Sequence, residues 1–537
     1  MSRHVQSTIA ASVVALAAFA GTASGQWSGN PAANLAIGSG PGGQETAKIA
    51  SRPDGGCYVG WFDSGTGAYT MRLSRLDAAG NEMWGHNGIL ISNKPQMTSL
   101  VDWDLIVDDT GSAVLAFCDL RTGGDLDVVA YRIAADGSFL WGPDGVNVSS
   151  NADADYTPRL AQLTTGDIAC IWGQTPNSGS GAIRMQRYDL AGNPQLAVNG
   201  VKIGGLANEK PGFCQLVAAD NGSAVALWIR NIAQFTSPRH LHAQKVDPNG
   251  ALLWNGGAGQ VVVFNQSVPI AHDPRLLPDG SGGAFVGWHR ASGNAFSCFV
   301  QHLDGTGAAL LTANGFEVTV DAAFNRMDPS IALDPGTGDL VVALRKMDSN
   351  QTNRGLVAQR ITPAGVRSWG ATGKLLEPVD LVDEGFPRVQ CVGTDSIITW
   401  FTTPTFGGVN SAIRATRLDA NGLPVWAPAA IDVCSVLSPK DDPVIARGAG
   451  DSLLIAWTDE RNATFDVYGE RLNADGTLGT PVVPCPADLN GDGQVNGADL
   501  GLVIGGWGQP GPADLNGDGT VDGADLGMVI GTWGPCP

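Results

Sequence analysis

Basic side chains are scarce in this sequence: 32 Lys and Arg stand against 52 Asp and Glu in 537 residues, a formal charge of −20. That balance excludes a nucleic-acid binder, because a polyanion is held through Lys and Arg at its phosphates. Charged residues of both signs make up only 16% of the chain and apolar ones 43%, a globular composition rather than a disordered one. After the first thirty residues no apolar run reaches eighteen, so no membrane-spanning helix is expected in the mature chain. None of the nine cysteines forms a C-x-x-C pair, and no histidine recurs at a ligand spacing, which argues against a zinc site. What is abundant is Gly, 73 residues, with 31 Pro, the mark of a chain full of turns.

The N-terminus carries an address. Arg3 and His4 precede an apolar stretch from Ile9 to Phe19, then small residues through Ala23, Ser24 and Gly25, the three-part build of a secretory signal. Residues 1–25 are read as a signal peptide cut before Gln26, since a membrane anchor would need a longer apolar run. The mature protein is expected to be secreted or at the cell surface. Seven cysteines (Cys57, Cys118, Cys170, Cys214, Cys298, Cys391, Cys434) lie singly among apolar neighbours and read as buried thiols. Cys485 and Cys536 bracket the last segment and are expected to staple its two ends in an oxidising compartment.

Between these ends one motif is written eight times. A basic residue, an apolar residue and a turn of Asp-x-x-Gly type stand at Arg75-Leu76-Asp77-Ala78-Ala79-Gly80. The frame reopens at Arg132, Arg187, Lys245, His302, Arg360, Arg417 and Arg471, with successive turns 54 to 58 residues apart. Seven residues after the turn begins stands Trp84, Trp141, Trp254, Trp369 or Trp426, with Leu in two repeats. Ahead of each turn an apolar run ends in Trp61, Trp172, Trp228, Trp288, Trp400 or Trp457, and a further short strand precedes it, often opened by Pro. Each repeat therefore holds four short strands, and no helix-length periodic segment lies between them.

Four antiparallel strands at a near-constant period of this length predict an all-β, eight-bladed β-propeller over residues 26–484. A propeller must close its ring. The last repeat lacks the Trp and Gly that open the fourth strand elsewhere, and Trp27, Gly29 and Asn34 to Gly38 resemble that strand at the other end of the chain. The two ends are expected to share one blade; the competing arrangement has Leu478 to Val483 supply the strand. Of fifteen Trp, eleven fall on repeat positions, Trp507 and Trp533 match each other in the tail, and Trp103 is unassigned. They read as core rather than as sugar platforms, and the recurring basic residues read as paired structural charges.

The tail, residues 485–537, carries the most specific chemistry. Pro486 to Gly508 and Pro512 to Gly534 agree at 19 of 23 positions with a period of 26, and the segment holds seven Asp but no Glu, Lys or Arg. Each copy contains D-x-N-x-D-G-x-V-[ND]-x-x-D: Asp488, Asn490, Asp492, Asn496 and Asp499, then Asp514, Asn516, Asp518, Asp522 and Asp525. Hard oxygens at positions 1, 3, 5, 9 and 12, with Gly493 or Gly519 for the sharp turn and the carbonyls of Gln494 and Thr520 at position 7, form a calcium loop. Two calcium ions are expected, and without them the carboxylates repel, so calcium should fold the module as well as bind it.

These two loops, each followed by an apolar helix near Leu500 or Leu526, resemble a type I dockerin, the cohesin-binding module of secreted polysaccharide-degrading complexes. The resemblance implies a small helical calcium-binding domain, a cohesin partner and association with polysaccharide catabolism. It implies partner contacts at loop positions 10 and 11, here Gly497, Ala498, Gly523 and Ala524. A surface-sorting role for the tail is the other implication.

For the propeller two functions stand open: a module that binds a glycan or a protein, or an enzyme acting on O-glycosidic bonds by hydrolysis or elimination. The S-x-D-x-G-x-x-W boxes of sialidase-type propellers are not reproduced, since Ser74 to Trp84 has the wrong spacing. Loops joining strands two to three and four to one share a face and vary in length, so a ligand is expected there. Candidates are Asp119, Arg121, Asp125 and Asp127; His240 and His242; and Asp459, Glu460, Arg461 and Asp466, groups able to serve as acid and base. Acidic loop tips are also ordinary turn chemistry.

Overall fold

A computed structural model describes residues 26–96, 102–121, 124–176, 179–231, 238–269, 273–480, 485–490 and 494–535. Contacts divide the chain into two compact units that meet between Gly479 and Thr480. The expected signal peptide lies outside the described residues.

The first repeat sets the pattern. Its strands Gln44–Ser51, Cys57–Asp63, Tyr69–Leu76 and Ile89–Gln96 pair antiparallel in chain order. The second strand is buried along nearly its whole length, because it lies in the middle of a sheet covered on both faces by neighbouring sheets, and so reads as a continuous apolar run. Between the third and fourth strands the turn is built by Asp77, whose Oδ1 accepts from the amides of Ala79 and Asn81 at 2.9 and 2.8 Å. Gly80 closes it at φ 89°, where a side chain is strained, and an added Cβ would meet the Trp27 backbone at 2.5 Å.

Basic residue and Trp act together across repeats. Arg75 Nη1 and Trp84 Nε1 both donate to the Ala135 carbonyl in the next repeat's turn, at 3.1 and 3.2 Å. Arg132 and Trp141 do the same to Leu190 at 2.9 and 3.2 Å, and Arg417 and Trp426 to Ala474 at 2.7 and 3.0 Å. The chain of clasps returns to its start: Arg471 Nη1 donates to the Ala78 carbonyl of the first turn at 2.9 Å. The first strands of all eight repeats likewise touch their neighbours in a closed circuit, with Gln44–Ser51 packed on Ile431–Arg447. The fold is an eight-bladed β-propeller.

The closing strand comes from the N-terminal side. Leu35–Gly38 pairs antiparallel with Asp466–Leu472, Leu35 opposite Gly469. Asn34 Nδ2 fastens it, donating to the Val433 carbonyl at 2.9 Å and to Glu470 Oε2 at 3.0 Å, while Ile37 is fully buried. Leu478 makes only an isolated bridge to Leu472, and residues 481–484 lie outside the described residues.

Six blades are separate four-stranded sheets, and the last two differ from the expectation of independent blades by merging into one seven-stranded sheet. The strand Ile431–Arg447 pairs with Asn410–Leu418 through its first half and with Leu453–Asp459 through its second. It runs unbroken from outer strand to inner strand, where the other blades have a connection outside the strands. Inner strands carry a second recurring irregularity: Thr46, Thr157, Phe213, Asp328 and Phe386 adopt φ of 49–55° at register shifts. Such bulges re-aim the side chains beside them.

The C-terminal unit is a helical miniature with internal symmetry. Helix α1, Gly497–Gly505, and helix α2, Gly523–Gly531, each begin with a reciprocal capping box, Asn496 with Asp499 and Asp522 with Asp525. Val495 pairs with Gly534, and Val521 exchanges backbone hydrogen bonds with Gly508 and Gln509. The shift between the two pairings equals the sequence repeat, so the copies embrace about a pseudo-twofold. Ala487, Val495 and Val503 meet their counterparts Ala513, Val521 and Val529 in a small core.

Candidate functional site

The second loop of the C-terminal unit is described throughout. Asp514 is fixed by three amides: Gly517 and Asp518 donate to Oδ1 at 2.9 and 3.2 Å, and Gly519 to Oδ2 at 2.8 Å. Gly517 and Gly519, at φ 74° and 98°, carry the chain around it. Asn516 and Asp518 hydrogen-bond each other, Thr520 donates its amide to Asp518, and Asp522 caps α2 through the Ala524 amide. Asp525 is fully buried; Leu515 and Asn516 donate to its Oδ1 at 2.7 and 3.1 Å and Asp522 to its Oδ2 at 2.8 Å. These amides, that of Asp522 foremost, hold its carboxyl below the usual range.

The first loop repeats the arrangement where it is described. Asp499 is fully buried and accepts from Leu489, Asn490 and Asn496 at 2.8, 3.1 and 2.9 Å, which lowers its carboxyl in the same way. Asp488, Asn490, Gln494 and Asn496 surround it in sequence, while Asp492 lies outside the described residues. Both loops offer only hard oxygens, with no cation in the segment to neutralise them; backbone amides pin position 12 in both and position 1 in the second. That donor set fits calcium. Gly497, Ala498, Gly523 and Ala524 are exposed at the helix starts. Leu502, Ile504 and Trp507 and their symmetry counterparts Met528, Ile530 and Trp533 are exposed too, the two Trp at 50% and 53%, so these Trp are surface groups and not core. Cys485 is disulfide-bonded and the seven propeller cysteines are free and buried; Cys536 lies outside the described residues.

On the propeller the sequence candidates fall into two constructions. Arg121 Nε donates to both oxygens of buried Asp119, at 2.9 and 3.0 Å, and lies 5.6 Å from the Tyr131 ring centre. Arg461 repeats this on Asp459 at 2.6 Å, 3.9 Å from the Tyr468 ring. Asp127 and Asp466 stand directly opposite Asp119 and Asp459 in the strand pairs. Built twice, the motif serves the blade. Burial, with the Asp125 and Asp155 charges, pushes the Asp127 carboxyl up to about 6. His242 is buried against Trp228 and pushed down to about 4 by that burial, with His240 beside it.

A cleft that no single repeat displays opens on the variable-loop face across the sixth, seventh and eighth blades. It encloses about 400 Å³ between Arg345, Arg354, Asp383, Phe386, Lys440 and Phe465, among others. Arg354 Nη1 donates to both Asp383 oxygens at 2.8 and 2.6 Å. The Lys440 ammonium has no exposed surface and donates to the Ser411 and Val436 carbonyls and to Ser438 Oγ, each at 2.7 Å; burial lowers its pKa. Sequence reasoning missed this cleft because its walls come from three repeats. A second cleft, about 500 Å³ beside Phe324 and Arg326, has its lining cation bonded: Arg326 donates to Thr319, Ser297 and Glu317.

Residues 486–532 match the family model of the dockerin type I domain. No curated protein matches the sequence. Among solved structures the chain is similar to a polysaccharide lyase, with 10% identity over 83% of this chain and 92% of that one and a TM-score of 0.41. An ulvan lyase gives 8% identity over 85% and 96%, with a TM-score of 0.43. An α-L-arabinanase of Penicillium chrysogenum complexed with arabinobiose gives 12% over 58% and 92%, with a TM-score of 0.30.

Proposed function

We propose that this chain is a secreted or surface-held glycan-binding propeller, attached to a larger polysaccharide-degrading assembly through its calcium-dependent C-terminal module. The observation that carries the reading is the dockerin match at residues 486–532 over two loops built alike. Type I dockerin domains bind calcium and dock on cohesins. In the second loop Asp514, Asn516, Asp518, the Thr520 carbonyl, Asp522 and Asp525 would hold one ion, and Asp488, Asn490, Asp492, the Gln494 carbonyl, Asn496 and Asp499 a second. Bound calcium supplies the positive charge that this acidic segment lacks, which lets the carboxylates converge.

Attachment uses the exposed helix starts at Gly497, Ala498, Gly523 and Ala524, flanked by the exposed apolar residues of α1 and α2. Small residues there permit close approach of a partner surface. A disulfide from Cys485 to Cys536 ties the ends of the module. The propeller presents its variable loops as the ligand face, and glycan is the ligand that suits a partner module of polysaccharide breakdown.

The test is capture of the full chain on immobilised cohesins, in calcium and then in EGTA. Capture that EGTA abolishes supports attachment. Failure on every cohesin, with calcium still bound, moves the module to surface sorting.

A further inference from the structure

Within the cleft on the variable-loop face, the three cations are not equivalent. Lys440 is saturated by its carbonyls and Ser438, and Arg354 gives its Nη1 to both Asp383 oxygens, although its Nε is buried without an acceptor. Arg345 is 9% exposed, its Nε is buried without an acceptor, and the one carboxylate beside it, Asp328, stands 3.5 Å from Nη2. A buried guanidinium with idle donors is costly, and the cost falls when an anion arrives to accept them. The group is also held in place. Its Nη2 rests on Gly385, where a Cβ would come within 2.8 Å, and its carbon lies 5.6 Å from the Phe386 ring centre.

The ring beside it is open. Phe386 lines the cleft and is 43% exposed at its left-handed bulge. A flat apolar ring beside this guanidinium matches a sugar ring that carries an acid group: a C–H face on the ring, the anion on the fork. The volume, about 400 Å³, lies within the range of small-ligand sites, ~300–1,000 Å³.

We infer that this cleft binds an acidic saccharide, a sugar bearing a carboxylate or a sulfate ester, with Arg345 gripping the anion and Phe386 packing on the ring. The inference rests on the glycan-binding reading and adds the substrate class. Selection of acidic sugars by a protein of net charge −20 then depends on one local, largely buried cation, so affinity falls only modestly with salt.

The test is calorimetric titration of the full chain with oligogalacturonide, a sulfated oligosaccharide and a neutral oligoglucan, each at low and raised salt. Acidic sugars are expected to bind and the neutral one not. Arg345→Gln should weaken binding at least tenfold with an unchanged thermal midpoint, and Arg345→Lys should restore part of it. Phe386→Ala, which removes the ring and no charge, should weaken binding while leaving the salt dependence intact. Equal binding by wild type and Arg345→Gln overturns the assignment. Binding of the neutral sugar alone overturns it too but leaves the glycan reading standing, whereas binding of no sugar overturns both. Capture of an acidic peptide in preference to the sugars assigns the cleft to a protein ligand and overturns it likewise. Gly385→Ala, which crowds the guanidinium without touching charge, supplies the control should Arg345→Gln misfold.

Discussion

Buried carboxyls decide the pH response of both units, in opposite directions. Asp499 and Asp525 have their pKa lowered by backbone amides, Asn496 and Asp522 first. Their contribution to stability is therefore full above the ordinary value of 3.8 and is lost as pH falls through the lower folded value. Amide exchange at Leu515, Asn516 and Asp522, followed during acidification, should rise only below about pH 4. Asp525→Asn puts an amide among three N–H donors and should drop calcium stoichiometry from two to one, read by calorimetry on the full chain. Glu470 runs the other way: burial pushes it up to about 8, so between 4.5 and about 8 the folded state holds a proton that the unfolded state has released. Propeller stability should fall across that window, and Glu470→Gln should flatten the fall in a series of thermal melts.

At the scale of elements, the ring depends on one short strand supplied from far away in sequence. Ile37 has no exposed surface and packs with Trp61, Leu76 and Val467. Truncation to Ala should cost about 2–5 kcal/mol, measured by denaturant unfolding. Deleting residues 26–38 leaves Asp466–Leu472 as an unpaired edge, and light scattering should then report self-association. The paired clasps explain why Trp and a basic residue recur together: in four of the five repeats that carry both, one carbonyl of the next turn receives both, while Arg360 and Trp369 donate to Thr394 and Ala420. This much was legible in the sequence, since a residue demanded by every repeat signals blade construction. The fusion of the last two blades was not, because it depends on one segment, Ile431–Arg447, finding strand partners on both sides.

For the whole molecule, two compact units imply two separable responses to calcium. Calorimetry of the full chain should show two transitions, with EGTA lowering one and leaving the propeller's unchanged. At a hundredfold excess over Kd each bound ion stabilises its module by about 2.7 kcal/mol. A single transition that shifts as one would refute the separation.

The sequence by itself determined the repeat count, the blade and the twice-repeated dockerin-like loop, and it narrowed the closing strand to two candidates. Each of these rests on local spacing: turn chemistry, alternating strands, or ligands within twelve positions. The loops were legible because the oxygens that converge on one ion are covalently near one another. Only the tertiary structure decided which polar groups are spent and which are spare. Asp119 with Arg121 and Asp459 with Arg461 stood as candidate acid and base groups, and in the fold each arginine bonds its aspartate and lies against a Tyr ring. Arg345 looked like any strand arginine, and it stands out only after the sixth, seventh and eighth blades enclose it, because a side chain's hydrogen-bond partners come from neighbours in space.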